Sequence, residues 1–451
     1  MEWATVILAA GKGTRMKSDM PKVLHPICGQ PMVARVIGLA EELGIAKRIL
    51  VVGYGEDQIQ AALGHRVQMV EQKEQLGSGH ALMQAVPPLR DHKGQLLVLY
   101  GDTPLLPLEM LKQLISQHEK NRPGATILTT IIEGDSGYGR IVKDQRGRVL
   151  RIVEQKDCNP HEYAISEVNT GIYCFDWPLA LEALPRIKNE NAQHEYYLTD
   201  LIGLLNEAGH AVEAVLWESA SDTMGVNNRK ELAEAARLLR RRVMDKLMLS
   251  GVTITDPETT YIEESVTIAR DTVIHPLTFL EGNTRIASHC VIGPGARLSN
   301  CVVEEGATIF HSVAVDSTLG PGVSVGPFSN LRKDTHLGEG VKIGDFVETK
   351  NSVFGKKSKA QHLSYVGDAT IGEAVNVGAG VITCNYDGKR KHPTVIEDGA
   401  FIGSNTNLRA PVKIGAGAIT GCGSVVTKDV PPNAVVAGVP AKFVRERGPD
   451  E

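Results

Sequence analysis

The sequence has no apolar run approaching the length of a membrane span, so a helical membrane protein is excluded. None of its seven cysteines (Cys28, Cys158, Cys174, Cys290, Cys301, Cys384, Cys422) sits in a Cys-x-x-Cys pair, and the number is odd. That argues against a zinc knuckle or a disulfide framework and fits a reduced, cytoplasmic protein. The N-terminus has no basic segment and runs from Met1 straight into a glycine loop, so no signal peptide is expected. Basic residues do not predominate: 48 Lys and Arg stand against 53 Asp and Glu, a net charge of −5. The chain as a whole is therefore not a nucleic-acid binder held by a basic field. Individual phosphate sites need only local cations and backbone N–H groups. What is present is a soluble globular balance, 42% hydrophobic and 22% charged, over 451 residues, enough for two or three domains.

The C-terminal half repeats. Aliphatic residues fall every six positions at Ile262, Ile268, Ile274, Leu280, Ile286, Ile292 and Leu298. A small residue follows four places after each of the first six: Val266, Thr272, Thr278, Thr284, Cys290, Ala296. The beat resumes at Val303, Ile309 and Val315, then, after a slip, at Leu319, Val325, Leu331, Leu337 and Ile343. It returns late at Ile396, Ile402, Leu408, Ile414, Thr420 and Val426. Helices repeat at 3.6 and strands at 2, so neither explains a period of six. A triangular prism does: one short strand and one corner per hexapeptide, three hexapeptides per coil, the aliphatic residue inward. The spacing predicts a parallel β-helix over 251–451.

Two features of this prism suggest chemistry. Arg332 and Lys350 are 18 residues apart within an unbroken beat, so they stack one coil apart, where two cations repel unless solvent or an anion relieves them. The plain reading is a solvated pair; the richer one is a phosphate site. The beat also breaks between Val381 and Ile396, ejecting Thr383-Cys384-Asn385-Tyr386-Asp387-Gly388-Lys389-Arg390-Lys391-His392, and a polar loop thrown out of a repeat is a common binding site.

The N-terminal half opens on a buried strand, Val6-Ile7-Leu8, feeding Ala9-Ala10-Gly11-Lys12-Gly13-Thr14-Arg15-Met16. Such a turn lets backbone N–H groups approach phosphates. It is neither Gly-x-Gly-x-x-Gly, because Met16 replaces the third glycine, nor a P-loop. A second buried strand, Leu96–Tyr100, ends at Gly101-Asp102, where α/β sheets bind ligands, although an aspartate there also caps helices. Leu232, Ala235, Ala236, Leu239, Val243 and Leu247 follow helical spacing up to Ser250-Gly251. That predicts a helix of roughly five turns joining two domains. The expected organisation is 1–228, a linker helix 229–250, and 251–451.

Leu-Ala-Ala-Gly-x-Gly-Thr-Arg at 8–15 followed by Pro21-Lys22 resembles the signature of sugar-nucleotide pyrophosphorylases. Lys359-Ala360-Gln361-His362-Leu363-Ser364-Tyr365, Asn376-Val377-Gly378-Ala379-Gly380 and Cys384–Gly388 resemble the acetyltransferase half of the bifunctional N-acetylglucosamine-1-phosphate uridyltransferase/glucosamine-1-phosphate acetyltransferase family. The resemblance spans essentially the full length. It implies an α/β Rossmann-like nucleotidyltransferase domain followed by a left-handed parallel β-helix of hexapeptide repeats. It implies acetylation of glucosamine 1-phosphate by acetyl-CoA, then transfer of UMP from UTP to N-acetylglucosamine 1-phosphate. The products are UDP-N-acetylglucosamine, a cell-wall precursor, and pyrophosphate.

Residue roles follow from the same resemblance. Leu8, Ala9, Ala10, Gly11, Lys22, Gln72, Gly77, Ser78, Tyr100, Gly101, Gly139, Glu154, Asn169 and Asn227 are expected to hold UTP and the UDP-sugar, with Arg15 catalytic. Asp102 and Asn227 are expected to hold Mg²⁺. His362 is the expected base for the attacking amine, histidine being suited to take a proton near neutral pH. Asn385 is expected to position the amine or polarise the carbonyl. Arg332, Lys350, Tyr365, Asn376 and Lys391 are expected to bind the acetyl acceptor. Ala379, Asn385, Tyr386, Ser404 and Cys422 are expected to bind acetyl-CoA. Relatives are trimers, so a homotrimer is expected. Some relatives also carry an arginine near the C-terminus for coenzyme A; here that stretch reads Ala437-Gly438-Val439-Pro440-Ala441-Lys442, with Arg445 beyond. The competing readings are a single-activity sugar nucleotidyltransferase with a structural or regulatory β-helix, and a binding scaffold with a degenerate front domain. The His362 and Asn385 tract argues against the first, and the intact glycine loop, Asp102 and Asn227 argue against the second.

Overall fold

The computed structural model describes residues 1–448. Two compact units divide the chain, Met1–Leu239 and Arg240 onward. The division falls inside one continuous helix, Arg229–Leu249. In the first unit Ala235 and Leu239 of this helix pack with Ile27, Met32, Leu105 and Val226. In the second unit Val243 and Met244 join the end of the prism core.

The first unit is built on a twisted sheet. Its main strands run in the order Val212–Leu216, Ala125–Ile131, Glu167–Asp176, Gln95–Tyr100, Trp3–Leu8, Lys47–Val52, Gln68–Glu71. Glu167–Asp176 is antiparallel to both neighbours; the other neighbours pair in parallel. Apolar runs such as Val6-Ile7-Leu8 and Leu96–Leu99 are unbroken because both sheet faces are covered. Val6, Leu8, Leu96 and Val98 face one core, with Ala81, Leu82 and Leu201 from helices. Ile7, Leu97 and Leu99 face the other, with Val33, Ile37, Leu111 and Leu114. Parallel neighbours Trp3–Leu8 and Gln95–Tyr100 end side by side, which brings the glycine loop and Asp102 to one crevice.

The second unit is a parallel β-helix. Each short strand pairs with the strand one coil further on: Tyr261↔Phe279, Val273↔Val291, Asn330↔Glu348, Asn407↔Val425. The six-residue beat points inward as its aliphatic character requires: from Ile262 to Ile309, from Leu319 to Ile343, and from Ile396 to Val426, its residues are buried. Val315 is the exception. Ala314 takes the inward position there, and Val315 is only half-buried. The corners after Leu298 and Ile309 are each one residue shorter, so Arg297 pairs with Val313 rather than two residues later. Corners adopt left-handed backbone at non-glycine residues, among them Asn300, Asp316, Asp334, Asn351 and Asp368 (φ +46 to +61°). Asn and Asp tolerate that region best among side-chain-bearing residues.

Candidate functional site

In the first unit, backbone hydrogen bonds assemble the crevice. Ala9 N donates to Val51 O (2.8 Å), Gly101 N to Leu8 O (2.9 Å), and Val226 N to Asp102 O (2.9 Å). The last of these brings Asn227 beside Asp102 from far along the chain. Gly13 has φ +62°, and a Cβ there would lie 2.6 Å from Lys22 Cβ, so only glycine lets the loop close on Lys22. The Lys22 ammonium then donates to Asp102 Oδ2 in a short contact and to Asn227 Oδ1 at 3.2 Å. Arg15 Nη2 also donates to Asn227 Oδ1, at 2.9 Å.

Two clefts share Tyr100 and Asp102. One, of about 260 Å³, is lined by Leu8, Ala9, Ala10, Gly11, Lys22, Gln72, Gly77 and Ser78, and also by Gln75 and Glu195. The other, of about 470 Å³, is lined by Arg15, Gly139, Glu154, Asn169 and Asn227, and also by Tyr138 and Gly225. Gly101 lines neither; it is buried against Ala9 and Val33, with its backbone N–H bonded to Leu8 O. Gln72 Nε2 lies within hydrogen-bond distance of Gly77 O (3.1 Å) and His80 Nδ1 (3.0 Å), while its Oε1 accepts from no group among the described residues. Asn169 donates to Tyr173 Oη (2.7 Å) and accepts from Gly171 N (3.2 Å), which fixes its amide. Glu154 accepts from Thr199 Oγ1 (3.0 Å); burial nonetheless raises its carboxyl above the usual range. A larger hollow of about 1030 Å³ lies behind Glu154, but neither the glycine loop nor Asp102 reaches it.

In the second unit the register places the expected residues on adjacent coils. Leu331 pairs with Thr349, so Arg332 and Lys350 stack as their spacing predicts. Arg332 is held by Glu348 at 2.8 Å. The Lys350 ammonium is pushed below its ordinary value, first by Lys391 beside it and then by Arg332. Lys391 Nζ lies 3.9 Å from Asp368 Oδ2. Asn385 is buried and donates through Nδ2 to Asp368 Oδ2 (2.5 Å) and Tyr365 Oη (3.4 Å). The ejected loop is a small hairpin closed by a Tyr386↔Lys391 bridge. His362 is exposed, and its imidazole hydrogen-bonds to no group among the described residues. The strand pairings Val377↔Ile402↔Thr420 set Ala379, Ser404 and Cys422 in one column; Asn376, three residues before Ala379, stands in the neighbouring column with Phe401 and Ile419. Lys442 and Arg445 sit on an exposed terminal hairpin.

Gly367 and Asp368 escaped the sequence reading. Gly367 is where the site closes: a Cβ there would collide with Tyr365 Oη and lie 2.8 Å from Asn385 Nδ2. Both are side-chain ends that can move aside, so Gly367→Ala is expected to leave the melting temperature nearly unchanged. With Asn385 in its expected role of positioning the amine or polarising the carbonyl, displacing it by about an ångström is expected to lower acetyl transfer on the order of 10²-fold. Steady-state thiol release together with thermal melting checks this.

Comparison with known proteins agrees with both halves. A MobA-like NTP transferase domain matches residues 5–155. A GMPPB C-terminal domain matches residues 259–346, and a bacterial transferase hexapeptide (six repeats) matches 393–428. The bifunctional protein GlmU of Geobacillus sp. (strain WCH70) is 52% identical over 430 residues, covering 95% of this chain and 94% of the relative. That of Exiguobacterium sp. (strain ATCC BAA-1283 / AT1b) is 49% identical over 435 residues, 96% of each. That of Carboxydothermus hydrogenoformans is 50% identical over 430 residues, 95% of this chain and 96% of the relative. With a crevice beside the glycine loop in one unit, a cation cluster beside a buried asparagine in the other, and half-identical relatives spanning both, the chain belongs to the bifunctional GlmU family, enzymes that acetylate glucosamine 1-phosphate and then uridylylate the product to UDP-N-acetylglucosamine.

Proposed function

We propose the following division of labour among the residues of the two sites. In the first unit, UTP lies over the glycine loop, with its base in the cleft of Gln72, Gly77 and Ser78. Gln72 has turned its amide N–H groups toward Gly77 O and His80, so Oε1 is left to accept from the N3–H of uracil. Cytosine, whose N3 only accepts, is disfavoured there. N-acetylglucosamine 1-phosphate occupies the cleft of Gly139, Glu154 and Asn169. Its phosphate oxygen attacks the α-phosphorus, and pyrophosphate leaves. Arg15 and Lys22 neutralise the phosphates, and positioning does the rest.

Asp102 and Asn227 fit a Mg²⁺ ion. Their oxygens already converge on one cationic group, the Lys22 ammonium, and the same two oxygens would hold a hard cation that keeps water and phosphate as its other ligands. Bound Mg²⁺ supplies charge stabilisation at the phosphates worth several kcal/mol, as an order of magnitude.

In the second unit, the amine of glucosamine 1-phosphate attacks the acetyl-CoA carbonyl. The N–C bond forms, the C–S bond breaks, and His362 carries the amine proton toward the departing thiolate. Arg332, Lys350 and Lys391 hold the sugar phosphate, with Tyr365 and Asn376 on the sugar; Ala379, Tyr386, Ser404 and Cys422 line the coenzyme A path. The observation that carries this reading is the crowding of three cations beside the one buried asparagine of the ejected loop. A homotrimer is supported by an exposed apolar ridge along one corner: Phe328 stacks on His311 (5.7 Å) and Phe346 (5.6 Å), and Leu363 follows next to His362. Cytoplasmic location fits the substrates.

The cation cluster gives the test. Mutual repulsion lowers the Lys350 pKa in the free protein, and a bound phosphate relieves it. Phosphate binding is therefore expected to take up protons just below the ordinary lysine range and to weaken as pH rises further. Calorimetry with glucose 1-phosphate, which has no amine, in two buffers of different ionisation enthalpy is expected to show that uptake. Lys350→Met is expected to remove it. Uptake that survives in Lys350→Met, or binding with no uptake in the parent protein, counts against the phosphate assignment.

A further inference from the structure

One corner of the prism carries a column of Asn and Asp in left-handed backbone: Asn300, Asp316, Asp334, Asn351 and Asp368. Asn300 donates to Asp316 (3.1 Å), and Asn351 donates to Asp368 Oδ1 (2.7 Å). The column ends at Asn385, whose amide donates to the other Asp368 oxygen at 2.5 Å. Asp368 is largely buried, its side chain 14% exposed. We infer that Asp368 is a positioning residue for acetyl transfer: it locks the amide of Asn385 so that Oδ1, not Nδ2, faces the substrate. The inference rests on the assignment of Asn385 to the acetyl site.

The argument is one of donors and acceptors. An ionised carboxylate can only accept, so the atom of Asn385 against it must be the NH₂ group. The second N–H of that group points toward Tyr365 Oη at 3.4 Å. Both donors of Asn385 are thereby committed within the protein. Its Oδ1 accepts from no group among the described residues and is left as an acceptor. An acceptor at that point binds an N–H of the attacking amine and orients the nitrogen lone pair toward the thioester. It cannot polarise the acetyl carbonyl, which itself needs a donor. Asn351 holds the far oxygen of Asp368 and fixes the carboxylate plane. The same carboxylate stands 3.9 Å from the Lys391 ammonium, so it also offsets part of the cation cluster.

Asp368→Asn keeps size and tolerates the left-handed backbone (φ +49°). It presents an NH₂ group to one of two amide donors, so Asn385 loses its fixed orientation. The kcat for acetyl transfer is expected to fall about 10- to 100-fold. The KM for glucosamine 1-phosphate is not expected to rise, because a negative charge has left the neighbourhood of the phosphate cations. A residue needed only for folding would raise KM and lower the melting temperature together. In an Asn385→Ala background, Asp368→Asn is expected to change kcat less than about twofold, since the group it positions is gone. Asn351→Gly, which keeps the Asp368 charge but removes one anchor, is expected to lower kcat in the same non-additive way. Full kcat in Asp368→Asn, losses that multiply with Asn385→Ala, or KM rising in step with the fall in kcat each overturn the inference. Full acetyl transfer in Asn385→Ala alone would instead sink the assignment of Asn385 on which it rests.

Discussion

His362→Ala is expected to lower kcat for acetyl transfer by about 10²–10⁴-fold, the range for removing a general base, while uridylyl transfer proceeds at its full rate. The selectivity follows from the architecture: His362 lies in the unit from Arg240 onward, and every residue of the nucleotide crevice lies in Met1–Leu239. The fold should not suffer. The imidazole is exposed and makes no hydrogen bond among the described residues, and Ser364 Oγ donates to the main-chain His362 O (2.8 Å), which alanine retains. Binding should also survive, since the phosphate cations and Asn385 are untouched, so KM should move little. A loss concentrated in kcat marks a group used in the transition state. Thiol release from acetyl-CoA and pyrophosphate release from UTP with N-acetylglucosamine 1-phosphate separate the two activities on one sample. Equal loss of both would point to misfolding.

Asp102→Ala is expected to do the reverse. Uridylyl transfer should fall about 10²–10³-fold, as when one electrostatic contact to the transition state is removed, and acetyl transfer should be unchanged. Two causes act together. The oxygen pair that converges on one cation loses its charged member, so the Mg²⁺ concentration for half-maximal rate should rise. Lys22, whose side chain is only 14% exposed and now donates to Asp102, would keep Asn227 alone as partner and lose its fixed direction toward the phosphates. Raising Mg²⁺ should therefore restore part of the rate but not all of it. Full turnover with an unchanged Mg²⁺ dependence would contradict the assignment.

Much of this was legible in the sequence because the signals were periodic or local. The six-residue beat named the inward face of the prism nearly residue by residue, and the 18-residue spacing of Arg332 and Lys350 placed them one coil apart. The glycine loop, Lys22 and Asp102 were legible because they follow buried strands whose apolar runs cannot be mistaken. The miss at Val315 and the silence about Asp368 share one cause: coil length varies. Arg297 pairs with Val313, whereas Asn351, Asp368 and Asn385 are joined at intervals of 17. Counting back by 18 from Asn385 lands on Gly367 instead of Asp368, so the carboxylate that orients the amide went unseen. Asp102 and Asn227 meet only through the Val226–Asp102 hydrogen bond, and no local pattern announces that closure. Glu195 reached the crevice the same way, through tertiary contact rather than motif.

The most direct test of two working sites on one chain is a single vessel containing the purified protein, acetyl-CoA, glucosamine 1-phosphate, UTP and Mg²⁺. Free thiol and pyrophosphate are followed together. The expected result is prompt thiol release, pyrophosphate after a lag while N-acetylglucosamine 1-phosphate accumulates, and no pyrophosphate when acetyl-CoA is withheld. Pyrophosphate that forms only when N-acetylglucosamine 1-phosphate is added directly, with no thiol released, would contradict the account and leave a nucleotidyltransferase whose β-helix has another task.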